Sequence, residues 1–149
     1  MANYRDLNIS DAPFVAGVDL TAKLYYAVAP GSVAGEVIVA VGPSGNPWPW
    51  GILQNNPSVL QEARVRVMGF SKAVVEANAC SLRQGAFLVC ASDGQLEPAA
   101  TAAEGVTAHG GSPIIARYAD SGTVSSGSAI AQVFLFWKIE GVCGFLPAS

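Results

Sequence analysis

The sequence predicts an all-β protein, organised as a small antiparallel β-barrel or β-sandwich with an irregular arm at each end. Roughly eight short runs of branched, aromatic and small apolar residues alternate with clusters of Gly, Pro, Ser, Asn and Asp, which is the spacing of strands and turns. No run shows the apolar period of a convincing amphipathic helix. The 149 residues suit one domain, which we place at residues 14–139, between an arm at residues 1–13 and a tail at residues 140–149.

The centre of the chain carries the clearest strand pattern. From Glu62 to Met68, long polar residues alternate with small or branched apolar ones, so one face of the strand is apolar and the other charged. Gly69 is expected to interrupt this strand, and residues 70–77 to form a second extended run. The Asn-Asn-Pro-Ser cluster at residues 55–58 predicts the turn that precedes both runs.

Three strands are predicted before this centre. Residues 14–19 are a short extended candidate, and residues 22–29 hold the aromatic and branched side chains typical of strands. Residues 36–41 form a near-continuous apolar run, short enough to indicate a buried strand.

The loop at residues 42–51 is unusual because it contains two tryptophans among prolines and glycines. Proline donates no backbone hydrogen bond and glycine adds conformational freedom, so this composition excludes a regular strand. Trp48 and Trp50 either fold back as a lid over one end of the barrel or anchor a partner. The sequence leaves both alternatives open.

Three further strands are predicted at residues 85–91, 114–119 and 128–139. The alanine-rich segment at residues 96–103 is too short and too interrupted by Pro98 to form a helix. The last strand is apolar on both faces: one carries Ile130, Gln132, Phe134 and Phe136, the other Ala129, Ala131, Val133, Leu135 and Trp137. Such a strand requires cover on both sides, by the core on one and by another surface on the other.

The composition also indicates a covered exterior. Hydrophobic residues make up 51% of the chain and charged residues 13%, whereas ordinary soluble domains have about 25% charged residues. A spanning helix needs about 20 apolar residues, but glycine and proline interrupt the uncharged stretch at residues 37–61. The first residues lack the apolar core of a secretory signal. We therefore expect a protein made in the cytosol that buries surface against other protein.

The charge pattern argues against nucleic acid. The formal net charge is −3, and Arg64 and Arg66 are the only close basic pair, with Glu62 beside them. These two arginines either form ion pairs with an acidic neighbour or remain solvated.

No constellation of catalytic or metal-binding residues stands out. Cys80, Cys90 and Cys143 form no CxxC motif and are expected to be small buried hydrophobic residues. The single histidine, His109, lies in a glycine-rich loop at no recognisable ligand spacing. Nothing fixes the geometry of a nucleophile around it, so we expect no enzyme activity, no metal and no cofactor.

Several motifs between residues 19 and 136 occur in a characteristic order. Gly51-Ile52-Leu53-Gln54 leads into the charged Val-x-Val strand at residues 64–69, followed by Gly85 to Leu88, Asp93-Gly94-Gln95-Leu96 and the small-residue-rich stretch at residues 116–135. In this order the chain resembles the small capsid decoration (cement) proteins of tailed bacteriophages. The Trp-Pro-Trp insert and the tail after Trp137 depart from the family pattern.

The resemblance implies a structural virion protein that is assembled in the bacterial cytoplasm and binds the outer surface of the phage head. Such proteins are β-rich, usually form trimers and reinforce contacts between capsomers. The expected partners are the major capsid protein and further copies of the chain, with no nucleic acid and no membrane. Strand 128–137 is expected to line a subunit interface, while the N-terminal arm or the tryptophan loop contacts the shell. The candidate interface residues are Tyr4, Arg5, Trp48, Trp50, Arg64, Arg66, Phe134, Phe136 and Trp137.

Two other functions remain as alternatives. A glycan- or peptide-binding β module of a phage fibre or adhesin would use Trp48 and Trp50 as a stacking platform. A small hydrolase would require His109 as its base.

Overall fold

The computed structural model describes residues 10–40, 49–77, 81–99 and 114–136. Within these ranges the chain forms nine strands and no helix, which confirms the predicted all-β class. The strands are β1 Ser10–Ala16, β2 Ala27–Pro30, β3 Glu36–Val39, β4 Gly51–Leu53, β5 Glu62–Ala77, β6 Phe87–Cys90, β7 Leu96–Pro98, β8 Ala116–Tyr118 and β9 Gly127–Leu135. Nothing in these ranges offers a helix long and apolar enough to cross a membrane.

The long strand β5 is shared by two groups of strands. Its first half pairs with β4 on one side and with β1 on the other. The order β1-β3-β2-β4-β5 then closes through the β1–β5 pairing into a five-stranded barrel, which we call the first barrel. All its pairings are antiparallel except β1 with β3.

The second half of β5 belongs to the other group of strands. It runs antiparallel to β9 from Gly69 opposite Leu135 to Ala77 opposite Gly127. The order β5-β7-β6-β8-β9 returns to β5, where β7 joins through one parallel bridge between Val75 and Leu96. We call this second ring of strands the second barrel.

Gly69 does not interrupt β5, contrary to the sequence prediction. Its φ is +88°, a left-handed conformation that glycine adopts without a steric penalty. Met68 pairs with Ser10 of β1, and Gly69 already pairs with Leu135 of β9. The glycine therefore lies where the strand changes its partner, and the chain stays extended on both sides.

Two apolar cores fill the two barrels. Val28, Leu53 and Val65 lie in the first core, while Val75 and Val133 lie in the second. Side chains of a strand point alternately to its two faces, so the residues next to those of the first core point out of the first barrel. The second core therefore also contains residues of the first barrel: Ala27, Ala29, Ala40 and Ile52. The two barrels thus pack against each other through β2 and β4.

Several strand boundaries differ from the predicted ones. β1 begins at Ser10, before the predicted residue 14. The predicted strand 22–29 is reduced to β2, since Tyr25 has a φ of 66° and turns the chain just before Ala27. The short strands β4 and β7 were not predicted, because three-residue strands have no readable period and both form only by pairing with distant strands.

The cysteine prediction holds at the one described position. Cys90 is buried in the second core, with 1% of its surface exposed. Cys80, Cys143 and His109 lie outside the described residues.

Candidate docking surface

The outer faces of β5 and β9 form one continuous surface. Ala131, Val133 and Leu135 point into the second core, so the alternating residues of β9 point outward. The register places Phe70 opposite Phe134, and Val74 opposite Ile130. These outward pairs sit on two strands that hydrogen-bond along the whole of β9, which makes the surface a rigid platform.

A row of aromatic rings crosses this platform. The ring centroids of Phe70 and Phe134 are 5.1 Å apart, with the rings edge to face at 61°. Phe136 lies 6.3 Å from Phe134 and 6.3 Å from Phe87 on β6. We call the surface formed by Phe70, Phe87, Ile130, Phe134 and Phe136 the aromatic face.

Much of the aromatic face is open to solvent in the single chain. Ile130 is 61% exposed, Phe70 44% and Phe134 37%. Contiguous apolar side chains of this size on a soluble protein mark contact sites for another surface. The sequence prediction that strand β9 carries a second apolar face not covered by its own core is confirmed for the described residues.

Charged side chains border the aromatic face. The guanidinium of Arg117 lies 4.7 Å from the ring centroid of Phe87, and exposed Lys72 stands opposite Gln132 between the two apolar pairs. A groove of about 310 Å³ is lined by Phe87, Arg117, Phe134 and Phe136. A second groove, of about 470 Å³, is more polar and includes Arg66, Lys72 and Asp120 in its lining.

Of the nine predicted interface residues, Phe134 and Phe136 lie together on the aromatic face. Tyr4, Arg5, Trp48 and Trp137 lie outside the described residues. The remaining three, Trp50, Arg64 and Arg66, lie on the first barrel. Of these, Arg66 lines the groove of about 470 Å³ together with Phe70 and Ile130.

Arg66 is engaged with its own chain. Its Nε and Nη2 donate to the two carboxylate oxygens of Asp11 at 2.8 and 3.2 Å, and its Nη1 donates to the carbonyl oxygen of Phe70 at 3.0 Å. The ion pair joins β1 to β5 beside the point where the two barrels meet. Arg66 is therefore paired within its own chain, while Arg64 is exposed.

Trp50 packs on the first barrel. Its ring lies 5.1 Å from that of Phe14, and it contacts the first core. Its backbone N–H donates to the carbonyl of Val28 at 2.7 Å, which fixes the end of the tryptophan loop on β2. For Trp50 this arrangement matches the lid alternative.

Sequence reasoning missed Phe70, Phe87 and Arg117 as members of the surface. Nothing in the local pattern indicates that Phe70 faces Phe134, since this depends on the register of β5 against β9. Ile130 was placed on the correct face of β9 but not among the candidate interface residues.

Comparison with known proteins finds a likeness in structure. No family model matches the chain, and no curated protein matches it significantly. The chain is similar in structure to the N base of the head fibre gp8.5 of bacteriophage phi29, with a TM-score of 0.54 and 12% sequence identity. The match covers 86% of this chain and 94% of that one. At this identity the comparison shows a shared fold, and that fold is one used in a phage head fibre rather than one that identifies a decoration-protein family.

Proposed function

We propose that the chain is a structural protein of a tailed-phage particle that is attached to the outside of the head and functions by docking. The observation that carries the proposal is the aromatic face, an apolar surface on rigid paired strands without cover from the described part of the chain. The fold shared with a head-fibre base supports the same setting.

Burial of the aromatic face supplies the driving force for docking. Each 100 Å² of apolar surface removed from water contributes about 2.5 kcal/mol before the costs of association. Phe70 and Phe134 already pack on each other at 5.1 Å, so little side-chain freedom remains to be lost on binding. Aromatic residues on a preorganised surface are the usual centres of stable protein interfaces.

For the oligomeric state we propose a homo-oligomer, as the resemblance to decoration proteins implies. In this arrangement the aromatic face is a contact between copies, and the major capsid protein is the partner on the head. The bound protein reinforces contacts between capsomers, and it is assembled in the bacterial cytoplasm without a cofactor. The function needs no catalytic chemistry.

A second candidate is the base of a fibre or a glycan- or peptide-binding adhesin module, and the structural likeness to a head-fibre base favours it. Trp50 lies against Phe14, so it is less suited to stack on a sugar than the sequence alone indicated. A glycan array, together with binding to host cells, distinguishes this candidate from a protein that binds only heads.

The test of the main proposal is binding to empty heads of a phage whose genome carries this sequence. Purified protein is mixed with heads that lack it, and bound protein is measured by co-sedimentation over a range of concentrations. We expect saturable binding that raises the temperature at which the heads open. Copies joined through the aromatic face bind the head together, so Phe134→Ser is expected to weaken head binding by at least about tenfold through loss of this multivalency. Phe134→Leu, which keeps an apolar side chain, retains it. Absence of binding by the folded parent protein would contradict the proposal.

A further inference from the structure

The end of the first barrel that is farthest along β5 from the aromatic face carries a second apolar surface. Exposed side chains lie there on three loops, and we call them the tip: Val18, Val33, Val59 and Leu60, exposed by 41%, 58%, 52% and 73%. Hydrogen bonds hold the loops together. The N–H of Leu60 donates to Ala16 at 2.8 Å, and that of Gly17 donates to Val37 at 2.9 Å.

Leu60 has a backbone conformation that does not suit its side chain. Its φ is +65°, a left-handed conformation in which glycine or asparagine is the usual residue and a branched side chain is uncommon. The surrounding turn imposes it, since Gln61 N–H donates to the Ser58 carbonyl at 3.1 Å and Ser58 N–H to Gln61 Oε1 at 3.0 Å.

The packing of Leu60 offers no compensation within the chain. Tyr25 also has a positive φ, of 66°, but it is partly buried and packs against the second core. Leu60 is 73% exposed. A residue whose type opposes its backbone, and whose side chain gains no burial, indicates a function for that side chain outside the fold.

Acidic residues surround the tip. Val15 of β1 pairs with Glu36 on one side and with Glu62 on the other. Asp19 follows Val18, and a methyl group added at Gly17 would lie 2.9 Å from the Glu36 carboxylate. These three acids, Asp19, Glu36 and Glu62, form no ion pair with a described residue. The nearest cation along β5 is Arg64. Two tips would therefore repel each other, whereas an apolar surface with positive charges would complement a tip.

We propose that the tip of one copy docks on the aromatic face of a second copy, with Leu60 inserted between the phenylalanine rings. The proposal rests on the proposed function, in which the aromatic face is a contact between copies. The groove of about 310 Å³ suits this contact, because Phe87, Phe134 and Phe136 line it together with one cation, Arg117. The acids of the tip would thus face Arg117 and Lys72, two cations against three acids, with Asp120 as the acid that lines the neighbouring groove beside Lys72.

This contact joins two different surfaces, so it is heterologous. The tip belongs to the first barrel and the aromatic face to the second, so one molecule forms both contacts at once. A repeated heterologous contact closes into a ring if its rotation permits and otherwise gives an open chain of copies. The trimer implied by the resemblance to decoration proteins would be such a ring.

Two single variants test the contact. Leu60→Asn removes the apolar side chain but suits the left-handed backbone, so the variant is expected to unfold at or above the temperature of the parent. Phe134→Ser damages the aromatic face and leaves the tip intact. In sedimentation velocity, the parent is expected to self-associate, and each variant alone to do so at least about tenfold more weakly.

Mixing the two variants gives the decisive result. The intact tip of Phe134→Ser binds the intact face of Leu60→Asn, so the equimolar mixture is expected to form one-to-one dimers and nothing larger. A mixture that remains monomeric, or a parent that is monomeric at every concentration, overturns the proposed contact. If Leu60→Asn associates like the parent while Phe134→Ser does not, the contact with the tip is overturned, but the aromatic face remains an interface. Head binding of the parent, measured separately, decides whether the proposed function survives.

Discussion

Phe70 and Phe134 lie directly opposite each other on β5 and β9, with their ring centroids 5.1 Å apart, and both rings are partly exposed. Their sequence neighbours Ser71 and Val133 are buried. Each ring therefore packs on its partner with one surface, which stabilises the sheet, and leaves its remaining surface available for docking.

A double-mutant cycle separates these two contributions. We expect Phe70→Leu and Phe134→Leu to show a coupling free energy of about 0.5 to 1.5 kcal/mol in chemical unfolding, because edge-to-face aromatic pairs contribute this much beyond their buried area. Both single variants keep an apolar outer surface and should still bind. A coupling energy indistinguishable from zero would mean that the rings do not pack on each other in solution.

Arg66 and Asp11 are expected to be a stabilising pair. The side chains are 18% and 22% exposed, and the contact is bidentate, so Arg66→Lys removes a geometry that an ammonium cannot reproduce. We expect a loss of about 1 kcal/mol in the free energy of unfolding. Arg64→Lys, two residues away on the same strand and exposed, is the matched control and should be nearly neutral. Equal effects at the two positions would contradict the assignment of the ion pair.

Two glycines with the same backbone conformation test the packing of the second half of the chain on the first barrel. Gly94 and Gly85 have φ values of +87° and +88°. A methyl group at Gly94 would lie 2.6 Å from Val39 Cγ1 and 3.1 Å from the Ala27 carbonyl, whereas one at Gly85 would have no neighbour within 4 Å.

Both substitutions by alanine incur the conformational strain of a positive φ, so their difference reports the clash. We expect Gly94→Ala to reduce the free energy of unfolding by about 1 to 3 kcal/mol more than Gly85→Ala. Thermal or urea unfolding of the two variants measures the difference. Similar losses would indicate that the Gly94 turn does not contact the first barrel.

The sequence predicted the strands of this fold better than the surface that they form. Residues 62–68 alternate clearly, because one face of β5 is buried and the other is solvated. The sequence did not predict that β5 continues through Gly69, since a glycine in a strand pattern ordinarily indicates a break. The glycine is explained here by the change of pairing partner from β1 to β9.

Part of the candidate surface could also be predicted from the sequence. The two apolar faces of β9 are visible within one segment, so Phe134 and Phe136 were found. Phe70 and Phe87 join them only through pairings across the sheet, and Arg66 meets Asp11 across a separation of 55 residues. Leu60 could not be recognised either, because its significance comes from a φ that the sequence does not display.

Trp50 is expected to stabilise the first barrel. Its ring packs on Phe14 and on the first core, but it is only half-buried. Trp50→Ala should therefore lower the free energy of unfolding by about 1 to 3 kcal/mol, less than for a fully buried tryptophan. Trp50→Phe keeps an aromatic ring against Phe14 and should recover much of the loss. If Trp50→Ala unfolds like the parent but loses head binding, Trp50 acts as a docking residue and not as a lid.

Tyr118 gives the fold a dependence on alkaline pH. Burial of the side chain on β8 raises the pKa of its hydroxyl above the ordinary value of 10.0, and the negative charge of Asp120 acts in the same direction. The folded state therefore retains the proton at a pH where the unfolded chain has released it. The free energy of unfolding is thus unaffected by this group below about pH 9 and falls as the pH rises through 10 toward the folded pKa.

Tyr118→Phe removes the titrating hydroxyl and is expected to flatten this part of the profile. The measurement is urea unfolding of parent and variant at several pH values between about 8 and 11, with Tyr26→Phe as the control for loss of a tyrosine hydroxyl elsewhere. The difference in free energy of unfolding between parent and Tyr118→Phe should decrease steadily above about pH 10, since only the parent loses stability by this route. Parallel profiles for parent and Tyr118→Phe would show that the hydroxyl is as accessible to water as it is in the unfolded chain, and the packing of β8 against the second core would then have to be revised.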